Sequence, residues 1–232
     1  MPRAVRERMM MDAAVRTFGR RGYRAASMDD IAEVAGVSKP LVYLYLNSKE
    51  ELFISCIRRE AAALLEAVTE GVQPGVSADL QLRSGLGAFF AHTAEHPDGW
   101  SVLHRQARTH GEPFAGEAAK VRDELVAFVA GLIGAAAREA ATGRESGPGG
   151  NPGGNPGGNP GGGAENGAGE LADRDLAGLA QALVGAAESL AGWAIETPGV
   201  SAKEAAATLM NFSWMGLGRL MDGERWPTTA RR

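Results

Sequence analysis

SMDDIAEVAGVSKPLVYLYLNSK, residues 27–49, determines more of the fold than any other part of this 232-residue chain. Ser27 can cap a first helix and Asp30 can return the hydrogen bond, which is the pattern of a capping box. Gly36 supplies the permissive backbone that a tight turn requires, and Ser38 can cap a second helix. The segment therefore predicts a helix-turn-helix, whose second helix is suited to enter a DNA major groove.

Helices on both sides of this segment complete a three-helix unit. Upstream, Ala14 and Phe18 share one face of a predicted helix. Downstream, Ser48 and Glu51 repeat the capping-box pattern and begin a third helix. We expect this third helix to span about residues 48–70 and to link the unit to the rest of the chain.

Residues 5–52 resemble the DNA-binding domain of the tetracycline-repressor (TetR) family of transcriptional regulators. The residues that carry the resemblance are Ala14, Phe18, Gly22, Tyr23, Ser27, Met28, Ile31, Ala32, Ala35, Gly36, Val37, Ser38, Tyr43 and the run Ser48–Leu52. The resemblance implies an all-α fold: an N-terminal helix-turn-helix domain, residues 1–52, and a larger helical ligand-binding and dimerisation domain, residues 53–225. It also implies a homodimer on a palindromic operator in double-stranded DNA.

The formal net charge of −4 is unevenly distributed along the chain. Residues 1–60 carry 11 Lys and Arg against 8 Asp and Glu, whereas residues 61–232 carry 13 against 20. The first part is therefore net positive and the second net negative. A basic end on an acidic body suits attraction to DNA phosphates at that end.

Eight residues are predicted to contact DNA: Ser27, Lys39, Pro40, Leu41, Tyr43, Leu44, Tyr45 and Lys49. Lys39 can donate to a guanine edge or a phosphate, and Leu41 and Leu44 can contact a thymine methyl group. Ser27 and Lys49 each lie at a helix start, where an anion is favoured, and we assign both to phosphates. The resemblance assigns DNA contacts to the other three.

Some of these residues have an alternative interpretation. Leu41 and Leu44 can instead pack inside the three-helix core, because their spacing also fits a buried face. Tyr43 can be partly buried against the third helix. Ile31, Val34, Val37 and Val42 are interpreted as core residues only.

The rest of the chain reads as further helices around one long insertion. The triplicated GGNP repeat within residues 143–169 cannot bury apolar area and predicts a flexible loop. The expected helices are about 78–95, 100–109, 113–140, 176–196 and 201–220, with a turn at 96–99.

The last two of these helices carry more apolar surface than one side of a monomer needs. In the TetR family the corresponding helices pair with their twins in a four-helix dimer interface. The predicted interface residues are Leu183, Leu190, Leu209, Phe212, Leu217 and Leu220. The alternative is that they form ordinary core within one protomer.

The resemblance further implies a small-molecule pocket within the helical body. Pockets are mostly apolar with a few polar anchors. The predicted lining residues are Phe89, Phe90, Trp100, Leu103, His104, Arg108, Phe128, Glu188 and Trp193. Aromatic residues at helical spacing are also common in plain cores, so packing is the alternative for each.

Other chemistry finds little support in the sequence. His92 and His96 lie one helical turn apart, but no Cys or carboxylate pattern completes a metal site. The GGNP repeats lack the Lys-Ser/Thr ending of a phosphate-binding loop, and the single cysteine, Cys56, reads as a buried thiol. We therefore expect no metal, no cofactor and no catalytic residues, in a cytoplasmic protein without a membrane segment.

These observations predict a homodimeric repressor that an unknown small-molecule effector releases from its operator. The alternative is a DNA-binding regulator or interaction module without a small-molecule inducer, either an activator or a nucleoid-type protein.

Overall fold

The computed structural model describes residues 2–145 and 172–221, and every regular element among them is helical. The helices are α1 (Arg3–Arg21), α2 (Met28–Ala35), α3 (Lys39–Leu46), α4 (Lys49–Gly71), α5 (Ala78–Glu95), α6 (Pro97–Trp100), α7 (Ala107–Thr109), α8 (Phe114–Glu145), α9 (Asp173–Glu196) and α10 (Ala202–Met221), with a π-helical stretch, Ser101–Gln106, between α6 and α7. The expected all-α fold is confirmed. The predicted flexible insertion lies, beyond Glu145, outside the described residues.

The turn between α2 and α3 has the local chemistry that the sequence predicts, with one difference. Ser27 Oγ accepts from the Asp30 N–H at 3.1 Å and the Asp30 carboxylate accepts from the Ser27 N–H at 2.9 Å, so the capping box is complete. Gly36 ends α2 in the left-handed conformation with φ of 65°, which a residue with a Cβ adopts only at a cost. Ser38 precedes α3, but its side chain makes no capping hydrogen bond.

The three-helix unit buries one stripe of each helix. Ile31 and Val42 are fully buried, as predicted. Val34 is 44% exposed, so its interpretation as a core residue is wrong. The physical reason is its position on α2, because it lies off the buried stripe that Ile31, Ala32 and Ala35 form.

A cluster of aromatic rings joins this unit to the helical body. The ring of Tyr23 lies 4.7 Å from Phe53 of α4 and 4.8 Å from Phe114 of α8, measured between ring centroids. Phe18 of α1 packs against Phe53 at 4.9 Å. The hydrophobic core is therefore continuous across the proposed boundary between residues 52 and 53, and α4 spans that boundary without a break.

The segment Pro97–Thr109 differs from its prediction. The expected turn at 96–99 is wrong beyond His96, because α6 already begins at Pro97. Proline is well tolerated in the first helical turn, where its missing N–H leaves no bond unmade. The following six residues are π-helical rather than α-helical, and single π turns occur often at functional sites.

This segment is bonded to the C-terminal end of α1 and the turn after it. The three contacts are Arg20 with Asp98 at 3.0 Å, Ser101 Oγ donating to the Gly19 carbonyl at 2.9 Å, and the Tyr23 N–H donating to Gln106 Oε1 at 3.2 Å. Gly19 is required for this approach, since a Cβ there would lie 2.6 Å from the Asp98 carbonyl oxygen.

Helices α9 and α10 pack differently from the dimer prediction. Leu183, Leu209 and Leu217 are buried within the protomer, so their assignment to the dimer interface is wrong. The reason is that their faces of α9 and α10 pack on neighbouring helices of the same protomer, chiefly α8 and α5. Leu190 is half-buried, Phe212 is 79% exposed, and the side chain of Leu220 lies outside the described residues.

The two serines that precede α2 and α3 offer a matched test of the cap. Ser27→Ala removes a bonded cap and should lower the free energy of unfolding by about 1 kcal/mol. Ser38→Ala removes no capping hydrogen bond and should cost distinctly less. Urea denaturation followed by circular dichroism measures both, and equal losses in the two variants would contradict the assignment.

Candidate nucleic-acid interface and small-molecule cavity

The outer face of α3 presents large side chains to solvent. Leu44 is 74% exposed and Tyr43 is 46% exposed, while Val42, which directly precedes them in the chain, is fully buried and anchors the helix. Lys39 and Pro40, in the first turn, are also exposed. The alternative that Leu44 packs in the core is therefore excluded, and a short helix presents a mixed apolar and cationic face.

Lys39 is paired, but weakly. Its Nζ donates to Asp29 Oδ2 at 2.8 Å, and both side chains are at least half exposed. This hydrogen bond to Asp29, together with the negative charge of Asp29, raises the pKa of Lys39, so the ammonium stays charged at neutral pH. An exposed pair of this kind contributes little, and a phosphate can replace the carboxylate as partner.

Tyr45 is half-buried and lies under two arginines. The guanidinium carbons of Arg3 and Arg6 lie 5.2 and 6.0 Å from the centroid of its ring, close enough for cation–π attraction. Tyr45 therefore holds two cationic side chains from the start of α1 beside the end of α3. Sequence reasoning assigned Tyr45 itself to DNA and missed this arrangement, although the density of arginine in α1 signalled a basic surface. Leu41, in the first half of α3, is half-buried.

Ser27 and Lys49 are less available to phosphates than predicted. The Ser27 hydroxyl donates to Asp30 Oδ2 at 2.7 Å, and its N–H is bonded to the same oxygen. Those hydrogen bonds lower the pKa of Asp30, whose negative charge would repel a phosphate. Asp30 is also ion-paired with Arg21, so Ser27 stays a predicted phosphate contact with weaker geometric support than Lys39.

The ammonium of Lys49 turns towards the protein. Its Nζ lies 4.6 Å from the centroid of the Tyr23 ring and donates to the Arg24 carbonyl at 3.3 Å. Burial lowers its pKa. Lys49 thus stabilises the junction, and its prediction as a phosphate contact has weaker geometric support than that of Lys39.

A cavity of about 250 Å³ lies within the helical body. Six of the nine predicted residues line it: Phe89, Trp100, Leu103, His104, Arg108 and Glu188. The other lining residues are Leu64, Ala115, Ala118, Ala119, Val121, Arg122 and Leu125. Phe128 lines a smaller adjoining pocket of about 50 Å³, which shares Phe89 and Leu125 with the first.

Two predicted lining residues lie elsewhere. Phe90 is buried but faces a different cleft, formed with residues such as Ala191 and Ala202. Trp193 is 51% exposed on α9 and lines neither the cavity nor the adjoining pocket. Successive positions on a helix point in different directions, and on α5 this turns Phe90 away from the cavity that Phe89 lines.

The polar end of the cavity is an ion-pair network. Glu188 Oε2 accepts from Arg108 Nη1 at 3.4 Å and from Arg122 Nε at 3.3 Å, and Arg122 also donates to Gln181. His104 stacks on Trp100 at 4.8 Å, and its Nδ1 lies 3.2 Å from Arg108 Nη1. Because arginine can only donate, this nitrogen is the acceptor. Burial lowers the pKa of His104, which therefore favours the neutral ring.

Arg122 is the charged residue among the seven lining residues that sequence reasoning missed. It lies three residues before Leu125 on α8, so the two share a helix face. That spacing was the available signal. The spacing alone did not indicate a cavity residue, because an arginine between apolar residues usually lies on the solvated side of a helix.

The other candidate chemistry lies outside this cavity. The rings of His92 and His96 lie 4.6 Å apart between centroids in a tilted arrangement, and the described residues contain no group of three potential metal ligands. The Cys56 thiol is buried 3.5 Å from Met11 Sδ, and burial raises its pKa. Within residues 2–145 and 172–221, no helix combines the length and the apolar character needed to cross a bilayer.

Two family models match the chain. Residues 10–56 match the model of bacterial regulatory proteins of the tetR family, and residues 79–147 match the model of the tetracyclin repressor-like C-terminal domain. The HTH-type transcriptional activator FasR of Mycolicibacterium smegmatis is 34% identical over 103 residues, 44% of this chain and 47% of FasR. The regulator BetI of Rhizobium meliloti is 46% identical over 54 residues, 27% of its length. The chain thus spans less than half of either curated relative.

Solved structures match over nearly the whole chain. A TetR-like transcriptional regulator from Rhodococcus sp. RHA1 is 34% identical, with 94% of this chain and 98% of that chain covered and a TM-score of 0.70. FadR from Bacillus subtilis, solved in complex with stearoyl-CoA, is 17% identical with a TM-score of 0.65 and shares the fold. The helix-turn-helix, the helical body and these matches identify the chain as a member of the TetR family of bacterial transcriptional regulators.

Proposed function

We propose that this chain is a homodimeric repressor that binds a palindromic operator and leaves it when a small molecule fills the cavity. The observation that carries the proposal is the exposed face of α3. Leu44 and Tyr43 would remain in water in an isolated protein, and large apolar side chains clustered on a short exposed helix mark an interaction site. A DNA major groove is the surface that this motif is shaped to meet.

The proposed contacts are divided between bases and phosphates. Leu44 suits a thymine methyl group and Lys39 a guanine edge or a phosphate. Pro40 and Tyr43 lie on the same exposed side of α3. Arg3 and Arg6, which lie at the start of α1 over the ring of Tyr45, suit phosphates. Phosphate contacts set the register of the protein on the duplex.

The proposed dimer face keeps the predicted residue Phe212 but not the buried residues Leu183, Leu209 and Leu217. No charged residue occurs between Ala205 and Gly218 of α10, although Phe212 is 79% exposed. On α9 the one charged residue between positions 176 and 195 is Glu188, which lies in the cavity, and Trp193 is 51% exposed. Uncharged exposed helix faces with large apolar residues favour burial against a second copy.

The segment Pro97–Thr109 supports coupling between the cavity and the DNA-binding unit. One side of it lines the cavity through Trp100, Leu103, His104 and Arg108, and the other is bonded to α1 and the turn after it. A ligand that shifts this segment would change how the two α3 helices of a dimer match their half-sites. A hundredfold loss of DNA affinity needs about 2.7 kcal/mol of coupling, a normal allosteric magnitude.

Activation of transcription is the second candidate for the mode of regulation. FasR is named an activator, which supports activation as the alternative to repression. An interaction module without an inducer is the other alternative. The stearoyl-CoA bound to FadR supports a small-molecule ligand. A reporter behind the selected operator distinguishes the signs, since deletion of a repressor raises expression and deletion of an activator lowers it.

The function is tested by selection of genomic fragments with the purified full chain, followed by footprinting. We expect protection of a palindrome with half-site centres about 34–36 Å apart, or a multiple of that spacing. Uniform coating of every fragment would contradict sequence-specific regulation and support the nucleoid-type alternative.

Lys39 and Lys49 give a matched test of the docking. Binding to a DNA duplex is measured by fluorescence anisotropy at several salt concentrations. If Lys39 contacts a phosphate, Lys39→Ala should reduce the slope of log affinity against log salt concentration by about one unit. Lys49→Ala should change the slope less, because its ammonium faces Tyr23, and should mainly lower stability. The reverse ranking would overturn the proposed orientation of α3.

Phe212→Asp tests the dimer face. By symmetry the change affects both sides of the interface, and it should raise the dimer dissociation constant by roughly a hundredfold or more. Leu80→Asp is the control, because Leu80 is also an exposed large apolar residue, 46% exposed, but lies on α5. Sedimentation velocity measures both, and a Phe212→Asp variant that remains dimeric as wild type would refute this face.

A further inference from the structure

Among the described residues that line the cavity, Glu188 is the one carboxylate, and it is placed between two arginines. Arg108 comes from α7 and Arg122 from α8, whereas Glu188 comes from α9. The Glu188 side chain is 14% exposed, against 46% for Arg108 and 25% for Arg122. With a neutral His104, the charged groups of the cavity sum to one net positive charge.

The pairing leaves the arginines incompletely satisfied. Both contacts end on the same oxygen, Glu188 Oε2, at 3.4 and 3.3 Å. Strong arginine–carboxylate pairs use two parallel bonds at about 2.7–2.9 Å. A second carboxylate can therefore gain better hydrogen bonds from Arg108 and Arg122 than Glu188 makes with them.

The other end of the cavity is apolar. The adjoining pocket is lined by aliphatic and aromatic side chains together with one glycine, and it meets the cavity at Phe89 and Leu125. Its far wall includes Phe128 and Leu132. A ligand that occupies both parts needs an anionic head group and an aliphatic tail.

The volumes restrict the size of the head group. About 250 Å³ with a further 50 Å³ stands at the lower end of the range for small-molecule sites. A carboxylate with a medium-length chain is suited to this space. A nucleotide-bearing thioester would have to leave most of its head group outside the cavity.

We propose that the ligand is a medium-chain carboxylate whose head group binds Arg108 and Arg122 in competition with Glu188. Glu188 is then an internal competitor that holds α7, α8 and α9 together until the ligand takes over its partners. This rests on the proposed function, in which a small molecule fills the cavity. Whether the ligand displaces Glu188 or binds beside it, the negative charge of Glu188 opposes binding.

Isothermal titration of the full chain with decanoate tests the proposal, with decanol, decyltrimethylammonium and decanoyl-CoA as matched probes. Wild type should bind decanoate more tightly than any of the other three. Glu188→Gln keeps an acceptor oxygen but removes the charge, and should bind decanoate about tenfold more tightly. Glu196→Gln is the control, because Glu196 is on the same helix but is 68% exposed and pairs only loosely with Arg105 at 3.8 Å.

Arg122→Gln is a second variant that keeps the test decisive if Glu188→Gln is unstable, and it should lose about tenfold or more in decanoate affinity. Thermal melting identifies variants that fail to fold. Binding of decanol, the ammonium or the CoA thioester by wild type as tightly as decanoate or more tightly would overturn the inference. So would weaker binding of decanoate by folded Glu188→Gln.

Failure of the proposed function is distinguishable from failure of this inference. If the chain binds an operator and a neutral or cationic ligand releases it, the function stands and the carboxylate site falls. If the chain selects no DNA fragment, the function falls whatever decanoate does.

Discussion

The packing of aromatic rings around Tyr23 is the constraint on which the rest of this structure depends. Its ring lies within 6 Å of the rings of Phe18, Phe53, His110 and Phe114, which come from α1, α4 and the approach to α8. Burial is the main cause of the raised pKa of Tyr23. Because one ring contacts elements of both parts, the DNA-binding unit has a defined orientation relative to the helical body.

In that orientation the segment Pro97–Thr109 contacts both the DNA-binding unit and the cavity. It approaches the end of α1 closely enough that Gly19 has no room for a side chain, and it also supplies much of the cavity wall. Interiors are close-packed and transmit displacements rather than absorbing them. A ligand that changes the partners of Arg108 therefore acts on a segment that is already bonded to the DNA-binding unit, through Gln106 and Tyr23.

Helix positions were predictable because their signals are local. The expected helix at 78–95 matches α5, and the predicted capping box at Ser27 is present. Ser201 and Glu204 form a further capping box before α10. Burial was less predictable, since an apolar stripe shows that a face is covered but not what covers it. Leu209 and Phe212 lie on the same helix, yet Leu209 packs inside the protomer and Phe212 faces solvent.

The amino-acid sequence alone determined the helical class, the helix-turn-helix and the basic N-terminal end, because caps, turn glycines and periodicity act over a few neighbouring residues. Only the tertiary structure decided which groups meet. Arg122 and Glu188 lie 66 positions apart, and Lys49 turns inward because Tyr23 offers its ring there. Such pairings depend on how whole helices pack, a long-range property that no local pattern specifies.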